Sequence, residues 1–260
     1  MKSAPATTKP DKPDGSDLRR TFRQELRRLC RLAKQSPGHK KVHTLRKGIV
    51  QLRSWLRLVR TEIGEAEFHR HNRRLRQAAR QLAPARDARV WKDTLEKLGT
   101  PARFPQTAAR LKRQVKRTRQ TLPGALRRVS KRLREELAKS DRLPFKKITH
   151  AQLVLALERL HRETEAARAA AGADRSNQNL HAWRKRLKNE LQALAFVAGM
   201  KTPSGAITQL LGEDHDLALL AEAANAWRDP RESPRLCRQI AARRARLQAQ
   251  LFPQVTRRPR

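Results

Sequence analysis

Two short segments of this 260-residue chain, one in each half, carry the same arrangement of basic groups. The first runs Val42, His43, Thr44, Leu45, Arg46, Lys47, and the second Leu180, His181, Ala182, Trp183, Arg184, Lys185. Both read apolar-His-x-apolar-Arg-Lys. On an α-helix, residues three and four apart lie on one side. The spacing therefore crowds three cationic or near-cationic groups that repel one another. The chemistry available to such a set is anion binding. An Arg fork donates two parallel hydrogen bonds to a phosphate or carboxylate, Lys adds a compact charge, and His donates a hydrogen bond and gains charge beside an anion.

The helices that hold these groups are legible from their apolar periodicity. At about 100° per residue, Arg46, Lys47, Val50, Ser54 and Arg57 share the side of His43, and Leu45, Ile49, Leu52, Leu56, Val59 and Ile63 oppose them. Arg184, Lys185, Lys188 and Gln192 share the side of His181, opposite Trp183, Leu187, Leu191, Leu194 and Val197. Each helix is predicted to be bifacial, apolar inward and cationic outward. Two such helices related by an approximate two-fold axis would line one basic groove. Arg19, Arg20, Arg23, Arg27, Arg73, Arg76 and Arg80 are candidates to add charge from flanking helices.

Composition points to the same class of partner. Lys and Arg number 61 against 24 Asp and Glu, a formal net charge of +37. Self-repulsion at that charge opposes compaction, so an anionic partner would stabilise the fold. Nucleic acid, an anionic membrane and an inorganic polyanion all satisfy that requirement. A content of 38% apolar residues with clear periodicity argues for a folded core rather than a basic disordered chain. Cys30 and Cys237 form no motif, which suits a reducing compartment. No apolar run approaches the roughly 20 residues of a membrane span, and no signal-peptide pattern opens the chain. The expected location is the cytoplasm.

Along the chain, residues 1–16 lack an apolar pattern and read as a disordered leader, with Asp17 as the N-cap of a first helix. A second helix is expected from Lys41 to Ile63, a third ending before Pro84, and a fourth from Arg86 to Leu98. A long stretch from Gln106 to Lys139 should be kinked or split at Pro123 and Gly124. The pattern lapses around Ser140–Lys147. Helices are then expected over 150–171, from the second His-Arg-Lys segment to Gly199, briefly after Pro203, from Asp214 to Trp227, and from Pro234 to Leu251. No strand alternation appears. The expected fold is all-α, with about ten helices in two similar halves. The repeats would span 17–140 and 148–252, and 253–260 forms a basic tail.

Together these residues resemble the CHAD family, the conserved histidine α-helical domain. Its pattern opens the second helix with His-x-x-Arg-Lys/Val and continues with regularly spaced basic residues, as in Arg46 to Arg57. A Leu-Gly/Ala-x-x-Arg-Asp segment follows, matched by Leu82, Ala83, Pro84, Ala85, Arg86, Asp87. The second repeat ends in Leu-Leu-Gly-x-x-Asn-Asp, matched by Leu210, Leu211, Gly212, Glu213, Asp214, His215, Asp216, with His215 standing where the family has Asn. The resemblance covers residues 17–252. It implies two pseudo-symmetric helical bundles around a basic central groove and binding of inorganic polyphosphate, and recruitment to polyphosphate granules is the leading expectation. It places His43, Arg46, Lys47, Arg53 and Arg57 in the groove from the first repeat, and His181, Arg184, Lys185 and Lys188 from the second. Asp87 and Asp216 match the family carboxylates and would orient basic side chains, unless they are ordinary helix N-caps.

Other chemistries find less support. The eight histidines lack carboxylates or thiols at ligand spacing, so no metal site is expected. Glu163, Thr164 and Glu165 alternate as in triphosphate-tunnel enzymes, but those need a strand and this run lies in a helical stretch. No Gly-rich phosphate loop, Ser/His/Asp set or Cys-His pair appears, so neither cofactor nor catalysis is expected. Nucleic acid bound without sequence preference stays open as a rival partner, although no helix-turn-helix, zinc or stacking motif supports it.

Overall fold

The structure is a computed structural model that describes residues 12–99, 101–202, 205–227 and 229–253. Among these it contains ten α-helices, three 3-10 turns and no strand. Most of the expected leader (1–11) and tail (254–260) lies outside the described residues.

The first helix, α1 (Gly15–Lys34), starts slightly earlier than expected. Asp14, not Asp17, is its cap. The Asp14 carboxylate accepts from the backbone of Ser16 and Asp17, and Asp17 returns a bond to the Asp14 N–H, a reciprocal capping box. Gly15 donates its N–H to the Ile148 carbonyl at 2.9 Å. A Cβ there would overlap the Phe145 carbonyl, so only glycine allows this approach. The start of the chain's first helix is thereby tied to the connection at its midpoint.

The central element is α2 (His39–Leu58), which touches α1, α4 (Glu65–Gln81), α5 (Ala83–Lys97), α7 (His150–Ala173) and α8 (Asn177–Val197). Leu45, Ile49, Leu52 and Leu56 are completely buried with Leu18, Phe22, Leu26 and Leu29 of α1. Each such side chain contributes about 1.5–3 kcal/mol by leaving water. Gly48 lets α1 come close, since a Cβ would strike Glu25 and Leu29. Arg159 of α7 donates to the carbonyls of Arg57 and Leu58 at 3.2 Å, satisfying groups that the helix end leaves free. The short α3 (Arg60–Ile63) follows.

Two expected splits do not occur. One unbroken helix, α6 (Pro105–Lys139), runs through Pro123. Pro123 and Arg119, whose carbonyl it leaves without a partner, are both exposed, so water can take the freed bond. Likewise α9 (Ala206–Trp227) is continuous through Gly212 and Asp214, where two helices were expected. The last helix, α10 (Ser233–Leu251), packs along α9.

The cores join distant parts of the sequence. The largest cluster combines α1, α2, α4 and α6 with Phe145, Ile148, Leu153 and Leu160, and with Ala193 and Val197 of α8. A second brings Leu95, Phe104 and Leu111 against Leu217, Leu236 and Ile240 of α9 and α10. Among the described residues no helix is long and apolar enough to cross a membrane.

Candidate functional site

The two His-Arg-Lys helices, α2 and α8, pack on each other at Ser54 and Asn189. The Ser54 hydroxyl lies 3.0 Å from both Asn189 Oδ1 and the Val50 carbonyl, and both residues are buried. Ser54 was expected on an open cationic side. It is buried because α8 covers it there, and the basic rows of the two helices consequently converge. Gln192 also departs from its expected place. Its Oε1 is buried without a partner in a cleft shared with Thr21, Gln51 and Trp55.

The α2 row leans on neutral acceptors. Arg46 donates to the Ala79 carbonyl in the last turn of α4 at 3.1 Å, the negative end of that helix. Arg53 donates to Asn72 Oδ1 at 2.8 Å, and Arg57 to the Arg53 carbonyl at 3.3 Å. None of the three has a carboxylate within ion-pair distance among the described residues. Burial, and then Arg57, Arg76 and Arg46, push the Arg53 guanidinium down to about 10. Burial followed by Arg86 lowers Arg46, and burial followed by Arg186 lowers Arg57. All stay charged at neutral pH, so the lowering registers how little the fold compensates them.

The α8 row feels the α2 row directly. Burial lowers the Lys185 ammonium, and the next causes are Arg57 and Arg53. Lys188 falls to about 8, through burial, then Arg184, Arg86 and Lys47, with Asp216 opposing. Arg184 is lowered by burial, and its Nε is buried without a hydrogen-bond partner. His181 stacks on His215 with ring centroids 4.5 Å apart and Nδ1 atoms 3.2 Å apart, so one ring donates and the other accepts. Burial lowers both, and His215 falls to about 3 as Arg184 adds repulsion. That pair is uncharged at neutral pH. His43 and Lys47 are exposed at the rim.

Asp87 and Asp216 are not helix caps, since α5 begins at Ala83 and α9 at Ala206. Both accept from Arg86, at 3.0 and 2.9 Å, with about a third of each side chain exposed (33% and 31%). Arg86 thus ties α5 to α9 and acts on Arg46, Arg184 and Lys188. Sequence reasoning singled out Asp87 and passed over Arg86. The signal was the Arg-Asp pair itself, because a carboxylate posted to orient a cation needs that cation beside it. Asp214, two residues before Asp216, is buried and fully occupied by Arg244 at 3.0 and 3.1 Å and Gln248 at 3.0 Å.

Of the flanking arginines, Arg76 belongs to the cluster through its repulsion of Arg53 and Lys185. Arg19 and Arg23 are instead neutralised by Asp141, and Arg20 by Asp17. Arg27, Arg73 and Arg80 are exposed. Glu163 and Glu165 sit on α7 and pair with Arg186 and Arg168. No group of three or more potential metal ligands occurs among the described residues.

The CHAD domain family matches residues 17–225 of this chain. No curated protein matches it. A crystal structure of the CHAD domain from the plant Ricinus communis is similar, with a TM-score of 0.65 at 18% identity, over 96% of this chain and 93% of that one. Identity at that level carries the fold alone.

Proposed function

This chain belongs to the CHAD domain family, a family associated with polyphosphate binding, and from that premise we propose that it binds inorganic polyphosphate, without catalysis, in a basic groove between α2 and α8. The observation that carries this reading is the convergence of two cationic rows, with half-buried arginines and exposed lysines, in which Arg53, Arg57 and Lys185 repel one another with only neutral hydrogen-bond acceptors around Arg53 and Arg57. Phosphate oxygens supply the missing negative charge. The guanidinium forks of Arg46, Arg53, Arg57 and Arg184 hold them bidentately, Lys47, Lys185 and Lys188 add point charges, and His43 and His181 donate at the ends. Asp87 and Asp216 position Arg86 and do not touch ligand.

Recognition in this reading is of charge density along a polymer, so affinity falls steeply with salt, by analogy with counterion release from nucleic acids. Binding holds the protein at polyphosphate granules in the cytoplasm. Catalysis finds no support, because a phosphate-cleaving enzyme needs metal-binding carboxylates at the reacting phosphate, and Asp87 and Asp216 are committed to Arg86.

A competition titration tests the reading. Labelled long-chain polyphosphate is bound to the wild type and to the four-site variant R46Q/K47Q/R184Q/K185Q, then challenged with double-stranded DNA. Displacement should need far more DNA than unlabelled polyphosphate, counted per phosphate, and the variant should bind at this groove on the order of 1000-fold more weakly, at about 1–2 kcal/mol per lost contact. Equal displacement by DNA with a nearly unaffected variant would mean that the affinity lies elsewhere on the surface.

A further inference from the structure

Between Glu96 and Glu135 the chain contains 13 Lys and Arg residues and no Asp or Glu. Most of that segment is α6. Its buried side, including Leu111, Leu122, Leu126, Val129 and Leu133, packs on α1, α4 and α5. Its opposite side presents Arg113, Lys116, Arg117, Arg127, Lys131 and Arg134, all exposed. From the first to the last of these the helix rises about 32 Å, at 1.5 Å per residue. None of the six is in an ion pair among the described residues. Several exposed arginines elsewhere are compensated within their own neighbourhood, such as Arg28 by Glu25, Arg60 by Glu65 and Arg243 by Glu213, whereas this stretch of the sequence holds no acidic residue at all. Like charges three and four residues apart in the α6 row repel without relief.

We infer that the outer face of α6 is a second binding surface for a linear phosphate polymer, so that one protein molecule bridges two polyphosphate segments. The inference rests on the proposed polyphosphate function and extends it to a separate face. Both α4 and α5 pack between α6 and α2, and the α6 row points away from them, so a chain held at α2 and α8 leaves the row free. A row of flexible, exposed side chains with no buried polar group suits a polymer held by charge density alone. The row exposes no aromatic or aliphatic wedge between its cations, so it favours a polyanion in solution over a membrane. Bivalence gives the protein a way to condense phosphate chains, because each molecule contributes a cross-link.

The test uses the full chain as wild type, as the stripe variant R113Q/K116Q/R117Q/R127Q/K131Q/R134Q, and as the four-site variant in α2 and α8. All six stripe residues are exposed, so the stripe variant keeps its helical circular dichroism. Short polyphosphate is titrated to measure stoichiometry, and long-chain polyphosphate is added to measure turbidity from cross-bridging. The wild type should bind two short chains and the stripe variant one, with turbidity requiring at least tenfold more of the stripe variant. An unchanged stoichiometry and turbidity in the stripe variant overturns the inference. So does a stripe variant that loses only double-stranded DNA binding, since the row would then be a nucleic-acid face. A four-site variant that still binds two chains would overturn the α2–α8 reading and leave the stripe result to stand on its own.

Discussion

His71 of α4 and Glu136 of α6 meet at 2.5 Å with 2% and 0% of their side chains exposed. Glu67 approaches the other ring nitrogen at 3.4 Å, and Arg74 approaches the other carboxylate oxygen at 3.5 Å. Opposite charges there are enclosed together, although Arg74 Nη1 and Glu136 Oε2 make no hydrogen bond. Between α2 and α8, Arg46, Arg53 and Arg57 are also partly withdrawn from water, but their hydrogen-bond partners are carbonyls and an amide. The same side-chain chemistry thus serves two ends. A buried charge closed by its counter-charge holds two helices together. A cluster left short of negative charge raises the free energy of the free protein, and an anion lowers it again. The two aspartates of α9 repeat the lesson within one turn: Asp214 is consumed by Arg244, whereas Asp216 holds Arg86 at the edge of the cluster.

The contrast breaks if the two regions respond alike. Replacing Glu136 by Ala strands His71 and Arg74 and should cost about 3–5 kcal/mol of stability in chemical denaturation. Its affinity for polyphosphate at a temperature where it stays folded should match the wild type within about twofold. A parallel loss of affinity would mean that the enclosed pair supports the ligand site. Lys188→Met should do the opposite, weakening polyphosphate binding about tenfold while leaving stability unchanged or slightly raised, because it removes a crowded ammonium that water partly screens.

The pH dependence sharpens this second effect. The folded Lys188 value, about 8, lies below the ordinary 10.5. Below pH 8 the ammonium is charged in both folded and unfolded chains, and the full penalty is present. Between about pH 8 and 10.5 the unfolded chain binds more protons, so the wild type gains stability with rising pH and the advantage of Lys188→Met shrinks. Polyphosphate affinity should meanwhile fall several-fold from pH 7 to 9.5, since the free protein loses a cation that the anion would have kept protonated. Calorimetric titration in two buffers of different ionisation heat at pH 8 should detect proton uptake in the wild type and less in Lys188→Met.

Much of this was readable from the residues alone. Apolar spacing at helical period located nearly every helix, and the repeated His-Arg-Lys spacing located both rows of the cluster. Tertiary context supplied the rest. Pro123 signals a break locally, but its side of α6 is wet, so the unpaired carbonyl costs little. Asp17 looks like a cap until Gly15 is drawn against Ile148 and Asp14 takes the role. Ser54 falls on the cationic side of a helical wheel, and nothing local reveals that α8 will cover it. Arg86 escaped notice because its significance depends on Asp216, a contact across 130 positions in the chain.

The most direct measurement is thermal unfolding of the wild type and the four-site variant R46Q/K47Q/R184Q/K185Q, each with and without long-chain polyphosphate. A cluster that lacks only an anion predicts a variant that melts at or above the wild type when no polymer is present. It also predicts that polyphosphate raises the wild-type Tm by several degrees and raises that of the variant, which keeps only the α6 face, by clearly less. Equal increases in both proteins, or a variant that melts well below the wild type on its own, would contradict the assignment of these cations to a ligand site.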